Sequence, residues 1–159
     1  MKKWFVIVSS LIVVCILTFC VTVYVIAREP LNSIIEEGES VAKEEFQLKS
    51  IEDSYVYNGS QSYTVVIGNT AEEESLVVFL PMEAEGKMVT RLVDEGISKD
   101  EVLDMLYKED APSKIVSAKI GYESVGPIWE IIYLDQEKTL NYYYVNFDDG
   151  EYWKKISNL

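Results

Sequence analysis

Residues 98–112 read SKDEVLDMLYKEDAP, and four β-rich runs follow them. Ser98 with Glu101 three residues later forms a capping box. Ile97 and Val102 are placed as a hydrophobic staple around it, and Ala111-Pro112 stops the helix because proline disfavours helical geometry in the residue before it. The spacing predicts a helix from Ser98 to about Asp110. Downstream, Lys114–Tyr122, Ile128–Leu134, Leu140–Phe147 and Tyr152–Ile156 are rich in β-branched and aromatic residues. Gly126-Pro127, the polar run Asp135–Lys138 and Asp148-Asp149-Gly150 divide them, which predicts four strands. Tyr142 and Tyr144 alternate with Tyr143, Val145 and Phe147, so both faces of that strand are apolar or aromatic and one of them calls for a helix or a partner.

The same order occurs upstream. Pro30 stands where a first helical turn tolerates it, and Leu31, Ile34, Ile35, Val41, Ala42 and Phe46 recur at helical spacing, with Gly38 a weak point in the pattern. The opposite face, Glu36, Glu37, Glu39, Lys43, Glu44 and Glu45, reads as solvated. Residues 54–69, SYVYNGSQSYTVVIGN, are two β-rich runs joined through Asn58-Gly59, a pair suited to positive φ at both centres of a tight hairpin. A third strand is expected over Leu76–Leu80 and, after Glu85-Gly86, a fourth over Met88–Val93. The two halves also end alike, in LVVFLPMEAEGKMVTRL (76–92) and YYYVNFDDGEYWKKI (142–156). This predicts a duplicated α+β unit, each copy one helix laid across a small antiparallel sheet, with the boundary near Asp94 to Gly96. Copies this small have a thin core, so they are expected to pack on each other.

Ahead of both copies, Trp4–Ala27 carries no charge. Its 24 residues cover about 36 Å as a helix, enough for a hydrocarbon core of about 30 Å. Lys2 and Lys3 precede it and Glu29 follows, so the positive-inside rule predicts a cytoplasmic N-terminus and an extracytoplasmic remainder. The run is too long for the apolar region of a cleaved signal peptide. Phe19 and Val14 precede Cys20 and Cys15 where a lipobox requires a small residue.

Composition narrows the chemistry. The formal net charge is −13 and every acidic residue follows the apolar stretch, so the remainder should repel nucleic acid and anionic lipid. The chain has no histidine, and its only cysteines lie inside the apolar run. The commonest general base and transition-metal ligand are therefore missing, and no thiolate site can form outside the membrane. Ser40-Val41-Ala42-Lys43 spells S-x-x-K, but Lys138-Thr139 is followed by Leu140 rather than glycine, and the companion elements of acylating enzymes are missing. Asp148-Asp149-Gly150-Glu151 does not have the twelve-residue spacing of an EF-hand loop and reads as a hairpin turn. No catalytic, cofactor-binding or metal-ligating residues are assigned, and the chain is expected not to be an enzyme. The aromatic density of the second copy points to a contact surface, for which Trp129, Tyr142, Tyr144, Tyr152 and Trp153 are the candidate binding residues.

The second copy resembles a PepSY domain: ISKDEVLDML is similar to that family's opening helix, WEIIYLD to its central strand and YYYVNFDDGEYWK to its closing hairpin. With the short N-terminal tail, the single anchor and the acidic upstream copy, the whole chain resembles the YpmB family of Gram-positive bacteria, the TseB-like cell wall elongation regulators. The resemblance implies two tandem cystatin-like or PepSY-like units: 1–28 as cytoplasmic tip and transmembrane anchor, 29–94 as a TseB-like domain and 95–159 as a PepSY-like domain. It further implies a single-pass protein of the cell membrane acting beside a monofunctional penicillin-binding transpeptidase. The alternative it leaves is a PepSY-type inhibitor or modulator of an extracytoplasmic peptidase. It supplies no catalytic residues.

Overall fold

The computed structural model describes residues 2–83 and 86–157, the side chains of 2 and 5 excepted. Glu85 of the expected Glu85-Gly86 divider lies outside the described residues.

One helix, α1, runs from Lys2 to Glu45. The expected break between anchor and first copy is therefore corrected: Pro30 lies inside the helix rather than opening a new one. Proline removes one ladder bond and crowds the preceding turn. Here an uninterrupted apolar run flanks it on one side and a packed helix face on the other. The apolar part is wholly exposed, as a membrane span is in the absence of lipid.

Gly38, the other doubtful position, is buried where α1 crosses the first sheet. A Cβ there would lie 2.5 Å from Thr64 Cγ2 and 3.4 Å from Leu80 Cδ1. The glycine that weakens the helical pattern is what lets the helix approach the strands.

Two four-stranded antiparallel sheets follow, each a meander in chain order. The first comprises β1 (Ser50–Asn58), β2 (Ser62–Asn69), β3 (Ser75–Pro81) and β4 (Val89–Leu92). A 3₁₀ turn over Val93–Glu95 leads to α2 (Lys99–Asp110). The second sheet comprises β5 (Lys114–Glu123), β6 (Gly126–Leu134), β7 (Leu140–Asn146) and β8 (Tyr152–Ile156). Ser98 caps α2 with both halves of the capping box in place, and Ala111 ends it in the left-handed region.

Two turns differ from expectation. Between β1 and β2 the loop is Gly59-Ser60-Gln61, and neither Asn58 nor Gly59 has a positive φ. Gly59 is needed for space, since a Cβ there would meet the Glu123 carboxylate and the Tyr57 ring. Gly126-Pro127 begins β6 instead of dividing strands; Glu123 pairs with Gly126 across a two-residue turn, Ser124-Val125, and Gly126 takes φ +108°.

Both faces of the first sheet are covered. Register places Thr64 opposite Leu80 and Val66 opposite Val78, so these share a face with the α1 residue Ala42 and with Leu48 in a small aliphatic core. The alternate positions Tyr55, Tyr57, Tyr63, Val65, Val77 and Phe79 face the second half of the chain, and there a single larger core joins the two sheets. On the second sheet, Ile131, Tyr133, Tyr143 and Val145 lie on the side occupied by Val102 and Leu106 of α2. Asp110 at the end of that helix is bonded by Tyr133 and paired with Lys155 of β8.

The second sheet meets the first through its edge strand. The Tyr55 hydroxyl donates to the Ile120 carbonyl (2.9 Å) and accepts from the Ile120 N–H (3.1 Å), satisfying two backbone groups on the free side of β5. The Tyr57 ring lies over Gly121, and Tyr122 packs against Tyr63 and Phe79 with ring centroids 5.1 and 5.3 Å away. Tyr57 Oη and the Ser60 N–H both donate to the Glu123 carboxylate at 3.1 Å. At the other end of the seam Arg91 of β4 pairs with Asp148 at 3.2 Å.

Candidate interaction face

The side of the second sheet away from α2 is covered by no helix, but the first sheet packs on part of it, with Tyr57 over Gly121 and Ile128 fully buried. Its positions follow from the register: Glu130 opposite Tyr144, and Ile132 opposite Tyr142. Tyr142 and Tyr144 stack with centroids 6.3 Å apart and planes 11° apart.

β8 adds an irregularity. Tyr144 pairs with Lys154 while Val145 pairs with Tyr152, which leaves Trp153 as an extra residue. Such a bulge breaks the period-2 alternation and re-aims a side chain. Consecutive residues Trp153 and Lys154 consequently reach the same ring. Trp153 meets Tyr144 edge-on at 5.8 Å, and Lys154 Nζ lies 4.9 Å from the Tyr144 centroid and 5.0 Å from that of Trp153.

The structure thus brings Tyr142, Tyr144 and Trp153 together and separates the other two candidates. Tyr144 itself is a correction: it is 6% exposed and belongs to the core, so of the three only Tyr142 and Trp153 are half-exposed. Tyr152 is 56% exposed but projects to the α2 side, where its ring meets Tyr143 at 5.9 Å. Trp129 is a correction: it is 7% exposed, packs on Phe147 and donates its indole N–H to the Ile97 carbonyl at 2.8 Å. It is a core residue that ties the entry of α2 to the sheet. Phase along β6 explains the difference, since Trp129 and Glu130 point to opposite faces.

Sequence reasoning missed Lys154, Lys119 and Glu130. Lys119 Nζ sits 4.4 Å from the Tyr55 ring centroid. Burial pushes the Glu130 carboxyl above its usual range, the Tyr144 hydroxyl pulls it back, repulsion from Glu123 adds to the rise, and Lys119 and Lys154 offset it. Burial likewise raises Tyr144, with Glu130 contributing. The only sequence signal for this grouping was Trp153-Lys154 beside a tyrosine-rich strand, and the bulge that makes it a cluster leaves no mark in the sequence. Within a chain of net charge −13 the face holds two exposed or half-exposed lysines on aromatic rings and one half-buried acid. Such a surface suits recognition and carries no activated nucleophile.

The other motifs resolve into local structure. Ser40 and Lys43 lie on the solvent side of α1, where Lys43 pairs with Glu39 at 3.8 Å. Asp149 accepts the Glu151 N–H, and Gly150, at φ +73°, completes that turn. An apolar groove lies beside the membrane-proximal part of the first sheet, with Ile34, Val41, Leu80 and the exposed Met82 and Met88 among its walls.

Comparison with known proteins agrees with this architecture. Residues 37–81, from the packed end of α1 through β3, match the family model described as the cell wall elongation regulator TseB-like domain. The probable cell wall elongation regulator TseB of Bacillus subtilis strain 168 is 26% identical over 153 residues, which cover 96% of this chain and 95% of that protein. The solved structure of the YpmB protein from Bacillus subtilis is similar with a TM-score of 0.70 and 29% identity, covering 77% of this chain and 95% of that one.

Proposed function

We propose that this chain, which carries a TseB-like domain, is a single-pass regulator of cell wall elongation that works by contact rather than catalysis. Residues 1–28 form the cytoplasmic tip and anchor. Residues 29–94 are the TseB-like unit, and 95–159 are a PepSY-like unit, both outside the cytoplasm. The partner is a membrane-bound wall-synthesis enzyme of the penicillin-binding transpeptidase class.

The observation that carries this reading is the half-exposed patch on the side of the second sheet away from α2, where Tyr142, Trp153 and Lys154 gather round the buried Tyr144 ring. Aromatic side chains supply contact area at low entropic cost, and a shared membrane raises effective concentration so that a modest contact suffices. Lys2 and Lys3 ahead of the apolar run support the orientation.

In-cell photocrosslinking tests it. A benzophenone side chain placed at Tyr142 or at Trp153 of the full-length chain should capture a membrane-bound wall-synthesis enzyme. Capture of none from either position would contradict the proposal.

A further inference from the structure

We propose that the seam between the two sheets holds a receptor pocket for a primary ammonium group of the kind a lysine-type side chain presents on a peptide. The pocket, about 370 Å³, is walled by Ser60, Gln61 and Tyr63 from the β1–β2 side and by Tyr122, Glu123 and Ser124 from the β5–β6 turn. It lies at the end of β5 and does not depend on which partner the Tyr142–Trp153 cluster takes.

The decisive residue is Glu123. It is 8% exposed, yet its two hydrogen-bond donors, the Tyr57 hydroxyl and the Ser60 N–H, are both neutral. Among the described residues the salt bridges are Lys43–Glu39, Arg91–Asp148 and Lys155–Asp110, so no basic side chain pairs with Glu123. A carboxylate has about four acceptor positions, of which one on each oxygen is filled here. Burying that charge without a counter-ion is costly, and a cation entering the pocket offsets the cost.

The walls say which cation. The rings of Tyr63 and Tyr122, in tilted contact with centroids 5.1 Å apart, line the pocket together with the carboxylate, so aromatic surface borders it. An ammonium gains from such a surface, whereas calcium and magnesium require six or more oxygen ligands. Among the described residues no three acidic side chains converge on a metal position. The same molecule already seats lysine ammonium groups on tyrosine, with Lys119 on Tyr55 and Lys154 on Tyr144. The hydroxyls of Ser60 and Ser124 and the Gln61 amide supply neutral acceptors for the remaining ammonium protons.

The test uses the full-length chain in nanodiscs of neutral lipid, reading the ring resonances of Tyr63 and Tyr122. The probe is Nα-acetyl-lysine methylamide, and the control is the same compound acetylated on Nε. Saturable shifts with a dissociation constant on the order of millimolar are expected for the free ammonium, and binding at least about tenfold weaker for the acetylated form. Glu123→Gln should weaken the free probe by about tenfold or more. Because that change also disturbs the bond to Ser60, Tyr122→Leu, at a half-exposed position, serves as the second variant and should weaken binding several-fold. Equal shifts from the acetylated control, shifts that rise without saturation, or wild-type affinity in folded Tyr122→Leu would each overturn the proposal.

Discussion

The two sheets share a strand order and a helix-on-sheet plan, but the helix does different work in each. On the first sheet the covering helix is the distal end of the anchor. It needs no N-terminal cap because it begins elsewhere, and it approaches the strands through Gly38 and Ala42, one turn apart. On the second sheet α2 is a short local strap with its own capping box, held at its far end by Asp110 against Tyr133 and Lys155. The first sheet is closed on both faces, by α1 and by the seam. The second is closed by α2 on one face and only in part on the other, where Tyr57 lies over Gly121. One unit is fixed to the anchor, and the other leaves Tyr142 and Trp153 half-exposed.

Substitutions that loosen the fixed unit should cost most. Gly38→Val places branched carbons where a Cβ alone would lie 2.5 Å from Thr64, so α1 must lift from β2. Thermal unfolding of the full-length chain should show a loss of about 3 kcal/mol. A near-neutral result would mean that α1 does not pack as closely as described. Next is the seam. Glu123→Ala leaves the buried Tyr57 hydroxyl and the Ser60 N–H without their acceptor and should cost about 2 kcal/mol, measured the same way.

The second unit's own glycine sharpens the contrast. At Gly126 a Cβ meets nothing within 4 Å, yet φ is +108°. Gly126→Ala should therefore cost about 1 kcal/mol through backbone strain alone, with no spectral change at the seam.

Asp110 ties α2 to the sheet in a pH-dependent way. Hydrogen bonds from Lys155 and Tyr133 hold its carboxyl below the usual value of 3.8. A depressed folded pKa means the stabilisation is complete above the unfolded value and is lost as pH falls through the folded one. Stability should thus decline below about pH 4 more steeply in the wild type than in Asp110→Asn, as acid titration of unfolding will read. The pair is partly exposed, so salt screening keeps the difference small. Smallest in stability is Trp153→Ser, below about 1 kcal/mol at a half-exposed bulge, although crosslinking through Tyr142 should fall sharply.

Much of this plan was legible because local chemistry specified it. Ser98 with Glu101 marked the start of α2, Ala111-Pro112 marked its end, and period-2 patterning found the strands. Gly38, Pro30 and Gly59 misled for a common reason: their local meaning is to break or turn a chain. Here tertiary surroundings decide instead: an apolar span upstream of Pro30, Thr64 under Gly38 and Glu123 under Gly59. At the candidate interaction face, tyrosine and tryptophan were visible as a class, but facing was not. Trp129 went inward by strand phase, Tyr152 went to the α2 side, and the bulge at Trp153 put Lys154 beside Tyr144. A bulge shifts every later residue by one position, and no residue type announces it here.

One unbroken helix joins the span to the first sheet across Pro30. Spin labels at Val23→Cys and Ser40→Cys, in a chain whose own cysteines are replaced by serine, measure it directly by double electron–electron resonance in nanodiscs. Seventeen residues of continuous helix separate the two backbones by about 26 Å, so a single narrow distribution consistent with that spacing is expected. A broad distribution, or one centred well short of it, would show a hinge at Pro30 in place of the continuous helix.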